Sequence, residues 1–237
     1  MGIENESVVI IGGSSGMGLA IAKEAADAGA AVIIAGRSQG RLDDARRAIS
    51  GDVTVHIVDV SDEKSTMKLF GSIGSFDHLV ISGSSVKTGQ LCDFSLADAR
   101  ASMDSKFWGA YMAARYAQIR PRGSITFFSG ILSRRPSPGS ASLAAINAAV
   151  EALGRALAVE LAPIRVNVVS PGLTDTPAHA QIPDDARKEM FAATAKRLPV
   201  GRVGKPEDIA SLTLELMRNT FLTGIVVDVD GGAMLAG

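Results

Sequence analysis

The sequence predicts an α/β fold, a doubly wound parallel sheet of seven strands with helices on both faces. Three observations predict it. The strand candidates are unbroken apolar runs, the pattern of strands buried on both faces. These runs alternate along the chain with segments of helical periodicity, which calls for crossover connections and a parallel sheet. A glycine-rich turn stands between the first apolar run and the first helix.

In chain order, Ser7-Val-Val-Ile-Ile11 is the first strand, and Gly29 ends a helix over 16–28. Ala31-Val-Ile-Ile-Ala35 is the second strand, followed by a helix over 39–49. Val53-Thr-Val-His-Ile-Val58 is the third, closed by Asp59. Ser61-Asp-Glu-Lys then opens a helix with a capping residue and early acids. The remaining strands are His78-Leu-Val-Ile-Ser82, Ser124-Ile-Thr-Phe-Phe128, Arg165-Val-Asn-Val-Val169 and Ile225-Val-Val-Asp228. Long helices are expected over 95–118 and 139–162, shorter ones over 184–197 and 206–218. No Pro- or Ser-rich linker, repeat or low-complexity tract interrupts the alternation, so residues 1–237 read as one domain.

Composition excludes several function classes. A chain of 237 residues suits one α/β domain with a well-buried core. A net charge of −1 gives no reason to invoke nucleic acid or an anionic membrane. The single cysteine, Cys92, has no partner for an internal disulfide, which fits a cytoplasmic location. The acidic N-terminal segment does not read as a signal peptide. Gly2 is followed by Glu6 where a myristoylation motif has Ser or Thr. No apolar run reaches the roughly 18 residues of a membrane helix. His56, His78 and His179 stand apart from any Cys or acid at ligand spacing, so no metal is expected.

The turn Ile11-Gly12-Gly13-Ser14-Ser15-Gly16-Met17-Gly18 carries the first functional signal. Residues without a β-carbon let the backbone approach a pyrophosphate, whose charge the following helix N-terminus favours. Its place after a strand and at a helix start marks it as a dinucleotide-binding turn. About 20 residues on, such folds set an acid for a ribose 2′-hydroxyl, or an Arg for a 2′-phosphate. Here Gly36 stands at the acid position and Arg37-Ser38 follow. A guanidinium pairs with phosphate where a carboxylate would repel it, so the expected cofactor is NADP(H).

Nearly the whole chain resembles the short-chain dehydrogenase/reductase family. Gly12-x-x-x-Gly16-x-Gly18 matches its glycine motif, with Ile11 in place of the usual Thr. Asp59-Val60 stands where the family contacts adenine. Ser170-Pro171-Gly172-Leu-Thr174-Asp-Thr176 is similar to the loop at the nicotinamide end. The segments Pro199–Ala210 and Thr223–Gly232 resemble its C-terminal third, and Ile81-Ser82-Gly83-Ser84 is a degenerate form of its Asn-Asn-Ala-Gly. The resemblance implies a Rossmann fold with strand order 3-2-1-4-5-6-7. It also implies cofactor contacts from Gly12, Ser14, Ser15, Gly16, Met17, Gly18, Arg37, Ser38, Asp59, Val60, Ser82, Gly83, Asn147, Pro171, Gly172, Thr174 and Thr176. Pairing of the two long helices into a homodimer or homotetramer is implied as well.

All four positions of the family's Asn–Ser–Tyr–Lys constellation are changed. Alignment of Asp104-Ser-Lys-Phe-Trp-Gly109 puts Lys106 at the Asn. Alignment of Gly123–Gly130 puts Gly130 at the Ser, with Ser129 just before it. Leu143 takes the Tyr position and Asn147 the Lys position. The family's Tyr donates a proton to the carbonyl oxygen, worth roughly 10²–10⁴-fold; Leu143 has none to give. Nothing in the sequence aims Tyr111 or Tyr116 at the site. Lys and Asn have exchanged places, which suggests Lys106 as a cation or proton source near the substrate oxygen and Asn147 on the nicotinamide ribose. A partly desolvated Lys beside other cations falls from about 10.4 toward neutrality, within reach of acid catalysis. Ser129 or Ser133 is a candidate substrate partner, Arg134-Arg135 a solvated basic loop or an anion contact, and His179 part of a lid-like region. Three functions remain open: an NADP(H)-dependent oxidoreductase acting on a small carbonyl or imine, an inactive NADP(H)-binding sensor or partner protein, and a lyase or isomerase on the same fold.

Overall fold

The computed structural model describes residues 2–236. Seven parallel strands form one sheet in the order β3-β2-β1-β4-β5-β6-β7. The strands are β1 (Ser7–Ile11), β2 (Ala31–Gly36), β3 (Val53–Ile57), β4 (Ser75–Ile81), β5 (Gln118–Phe128), β6 (Arg165–Pro171) and β7 (Val226–Val229). Helices α1 (Gly16–Asp27), α2 (Gln39–Arg47) and α3 (Glu63–Ile73) link the first four strands. Helices α4 (Leu96–Met103) and α5 (Gly109–Tyr116) precede β5, α6 (Ala141–Glu160) precedes β6, and α7 (Asp184–Arg197) and α8 (Pro206–Arg218) precede β7.

The unbroken apolar runs are explained by two cores, one on each face of the sheet. In β1, Val8 and Ile10 point into a core shared with Ile21 of α1 and Leu214 of α8. Val9 and Ile11 point the other way, toward Phe70, Ala113, Val150 and Phe127. Side chains alternate across a strand, so burial on both faces leaves no polar position. Strand β1 pairs with β2 on one side and β4 on the other. The chain's connections therefore diverge at that point, opening a crevice beyond the strands' C-terminal ends.

The structure departs from the sequence expectation at several points, including the start of β4 at Ser75 rather than His78 and the end of α2 at Arg47 rather than 49. Strand β5 begins at Gln118 rather than Ser124, and its polar first half pairs irregularly with β4, the register shifting between Phe76 and His78. Backbone pairing there needs no apolar side chains, so the hydropathy pattern is silent. The cap of α3 is Asp62, accepting from Lys64 N at 3.0 Å, while Ser61 turns back to Asp59. The helix expected over 95–118 is broken by a π-helical turn, Asp104–Trp108. Finally, α6 has the length and mean hydropathy (1.3) of a membrane span, although no unbroken run does. It carries Asn147, Glu151 and Arg155, and it packs on the sheet through Ile146, Val150, Gly154 and Leu157. A β-carbon on Gly154 would lie 2.4 Å from Val168 Cγ2, so helix and strand meet closely there.

Candidate active site

A cleft of about 390 Å³ runs across the C-terminal ends of β1, β2 and β4. Its floor is a backbone-to-backbone contact. Gly12 (φ 87°) lies so close to Gly83 that a β-carbon would sit 2.3 Å from Gly83 N. A β-carbon on Gly18 would sit 2.2 Å from Gly12 O and 2.6 Å from Ser82 Oγ. Ser82 N and Gly83 N both donate to Ile11 O at 3.0 Å, locking the two turns together. The degenerate Ser82-Gly83 thus keeps the one feature this contact needs, a glycine. No side chain caps the start of α1, where Ser15 is the N-cap. The first-turn N–H groups are left for an anion from outside.

At the far end the cleft is lined by Gly36, Arg37, Ser38, Arg41, Val58, Asp59 and Val60. Arg37 and Arg41 bring two guanidinium groups to the same end, beside the Ser38 hydroxyl. The sequence reading missed Arg41, whose place in the first turn of α2, three residues beyond the N-cap Ser38, was the available signal. Asp59 accepts from Ser61 Oγ at 2.6 Å and Ser61 N at 3.0 Å. The Ser61 hydroxyl holds its carboxyl below the usual range, with Arg37 adding to the effect. The glycine cradle fits a pyrophosphate, and the cationic end fits a 2′-phosphate.

At the near end Thr176 lines the cleft with Ser105, Pro177 and Ala178. Gly172 and Thr174 build the loop instead of facing the cleft. Gly172 N donates to Val229 O at 3.0 Å, a β-carbon there would meet Asp230 Cα at 2.8 Å, and Thr174 bridges to Gly204. A second cavity of about 90 Å³ continues inward, lined by Met17, Ser82, Gly83, Ser84, Lys106, Ser129 and Pro171 among others. Met17, Ser82, Gly83 and Ser84 line both cavities, so the two are contiguous.

Lys106 projects into this inner cavity from the π turn, where Gly109 N reaches back to Asp104 O. One extra residue in a turn rotates the side chains that follow, and such bulges are frequent at functional sites. Lys106 Nζ donates to Ser129 O at 2.9 Å. Asn147, buried on α6, donates through Nδ2 to the next carbonyl, Gly130 O, at 3.3 Å. Two candidates on different helices therefore grip consecutive carbonyls at the end of β5. Burial among protein groups pushes the Lys106 ammonium down to about 8, opposed by the Glu151 carboxylate. Desolvation, not neighbouring cations, is the cause. Ser129 Oγ and Asn147 Oδ1 are buried without a hydrogen-bond partner among the described residues. Leu143, one helical turn before Asn147, is half-buried.

The other candidates go elsewhere. Tyr116 OH donates to Glu63, and Tyr111 packs edge-on against Trp108, ring centroids 5.6 Å apart. Arg134 pairs with Asp228 and reaches Ser170 Oγ at 3.1 Å, while Arg135 donates to Ala233 O. Both arginines thus strap the C-terminal segment to the loop after β5. Ser133 Oγ lies 2.6 Å from Glu151 Oε1, a buried carboxylate the sequence reading did not single out. His179 packs edge-on against Phe191 of α7 at 5.7 Å.

A family profile described as enoyl-(acyl carrier protein) reductase matches residues 12–234. The chain belongs to the short-chain dehydrogenase/reductase family. A family member from Stachybotrys chlorohalonatus is 36% identical, the alignment covering 98% of each chain. A crystal structure of a small-chain dehydrogenase in complex with NADPH is 39% identical, covers 98% of this chain and 100% of its own, and superposes with a TM-score of 0.83. An NADPH-bound short-chain oxidoreductase from Pseudomonas aeruginosa, described as containing an atypical catalytic center, is 26% identical over 96% of each chain, with a TM-score of 0.90. Membership makes the chain an oxidoreductase of this family and accounts for the cradle. It does not account for Lys106, Gly130, Leu143 and Asn147.

Proposed function

We propose that the protein is an NADP(H)-dependent oxidoreductase that reduces a small carbonyl or imine, with Lys106 as the proton source in place of the family's tyrosine. The observation that carries this reading is the position of Lys106, which lines the inner cavity continuous with the dinucleotide cleft while its ammonium rests on Ser129 O. The NADPH held by two structural relatives supports the cofactor, and the atypical center of one shows that the family tolerates a rewritten site.

The bound dinucleotide supplies the hydride. Gly12, Gly16, Gly18 and the α1 N-terminus would hold its pyrophosphate, and Arg37, Ser38 and Arg41 would hold the 2′-phosphate. Ser129, which lines the inner cavity, offers Oγ to the substrate, whereas Asn147 is buried behind Gly130 O and lines neither cavity, so its role at the ribose rests on the family resemblance alone. Lys106 is an ammonium at neutral pH, so it stabilises charge developing on the substrate oxygen and then gives up a proton. An iminium substrate needs no proton on the reacting atom, which widens the substrate class to imines.

We infer a homodimer or homotetramer through α4–α5 and α6, whose outer faces expose Trp108, Tyr111 and Val159. Sedimentation velocity is expected to give a dimer or larger, and a monomer at micromolar concentration rejects that assignment. For the activity, NADPH depletion is followed over a panel of ketones, aldehydes and imines, beside fluorescence titrations with NADPH and NADH. The expected result is tighter binding of NADPH than of NADH and turnover on at least one class. Tight NADPH binding with no turnover on any class would instead identify a nucleotide-binding sensor or partner protein.

A further inference from the structure

Glu151 has no part in the chemistry just described, yet its carboxylate is buried one helical turn beyond Asn147 on α6. A carboxylate is not left in such a place without a partner. Its hydrogen-bonded partner is Ser133. Ser133 Oγ, in the short turn after β5, lies 2.6 Å from Glu151 Oε1 and 3.1 Å from Gly130 O. Lys106 holds Ser129 O and Asn147 holds Gly130 O. Two side chains therefore donate to two successive carbonyls, and the Ser133 hydroxyl, whose single proton goes to the nearer Glu151, lies beside the second of them. The same carboxylate is the charge that acts on Lys106.

We propose that Glu151 is a positioning residue for Lys106, a buried counter-charge anchored by Ser133 that keeps Lys106 Nζ an ammonium seated on the Ser129 carbonyl. This rests on the reading of Lys106 as proton source, but it concerns a different property, the charge of Lys106 before any turnover. Among the described residues, Glu151 is the one charged group that acts on Lys106. The ends of β4 and β5 and the glycine turn present Ser82, Ser84, Ser129 and Met17, none of them ionised. On its own helix Asp104 is exposed, and on α6 Arg155 is exposed. Arg134 lies close enough to act on Glu151, but its guanidinium is committed to Asp228.

The test reads the charge of Lys106 directly. Competitive labelling with acetic anhydride across pH 6–11, scored for Lys106 by mass spectrometry, reports the fraction of neutral amine with no need for turnover. Glu151→Gln keeps the shape and the bond to Ser133 but removes the charge. It is expected to lower the labelling midpoint by about one pH unit, the low end of what a nearby opposite charge does. Glu151→Asp should restore a midpoint near the parent's. Glu151→Met removes the same charge without burying an amide, should Glu151→Gln fail to fold. An unmoved midpoint in both neutral variants overturns the proposal, even where turnover or melting temperature falls, since a purely structural role does only that. The pH profile of NADPH oxidation, measured on the same proteins, separates the two claims. If its descending limb follows the labelling midpoint, both stand. If the midpoint moves and the limb does not, Glu151 positions Lys106 but Lys106 is not the proton donor.

Discussion

The two ends of the active-site cleft are built from different materials. The nucleotide end is a contact between backbones, in which Gly12, Gly18 and Gly83 approach so closely that any β-carbon would collide with main-chain atoms. The reaction end is a contact between side chains, in which Lys106 from the π turn and Asn147 from α6 donate to the Ser129 and Gly130 carbonyls, with Ser133 and Glu151 paired beside them. A backbone contact admits one residue type and so preserves its signature. A side-chain constellation can be exchanged as a set. Gly130 shows the coupling, since a β-carbon there would lie 3.1 Å from Asn147 Nδ2, tighter than ordinary contact. The amide of Asn147 occupies the room that a serine at 130 would want. The residues at these two positions are therefore sterically coupled.

Experiments that break this contrast can be ranked by expected effect. Lys106→Met should lower the rate of NADPH-dependent reduction roughly 10²–10⁴-fold while leaving the NADPH dissociation constant within about twofold, on the order of 0.4 kcal/mol. Stopped-flow hydride transfer and a fluorescence titration measure the two. Gly18→Ala should do the reverse and weaken NADPH binding on the order of 100-fold, about 2.8 kcal/mol, because Gly12 O blocks the new methyl group. Arg37→Ala should weaken NADPH about 10–100-fold, the worth of a charge-assisted hydrogen bond, with NADH affinity unchanged in parallel titrations. Gly130→Ser should cost about 1–3 kcal/mol of stability by overpacking, and a denaturant double-mutant cycle should recover much of it in Gly130→Ser/Asn147→Ala.

Lys106→Met carries a second, smaller consequence. The folded state holds the Lys106 ammonium near 8, below its ordinary value, so the unfolded chain binds the extra proton between about 8 and 10.5. Stability from this group therefore rises with pH across that window, and its burial cost is present in full below it. Lys106→Met should therefore flatten the rise of stability with pH between about 8 and 10.5, read as melting temperature against pH.

The sequence already held the sheet, because buried strands and a tight glycine turn are constrained by backbone geometry, and the family resemblance implied its order. It missed the polar half of β5, where pairing is made by main-chain groups alone. It brought out Lys106 and Asn147 by their exchange of places, but not the reason they meet. That reason is the π turn at Asp104–Trp108, which no residue type announces. Arg41 was legible as a cation one turn past Arg37. Glu151 was not, because an acid on a long helix reads as solvated until the fold buries it.

The central claim is that a lysine gives the proton here, and the pH dependence of hydride transfer at saturating NADPH tests it most directly. The acid must be protonated, so the rate is expected to hold below about 8 and to fall tenfold per unit above it, following the Lys106 ammonium. A rate that stays level to pH 10 would contradict the account and place the proton donor elsewhere.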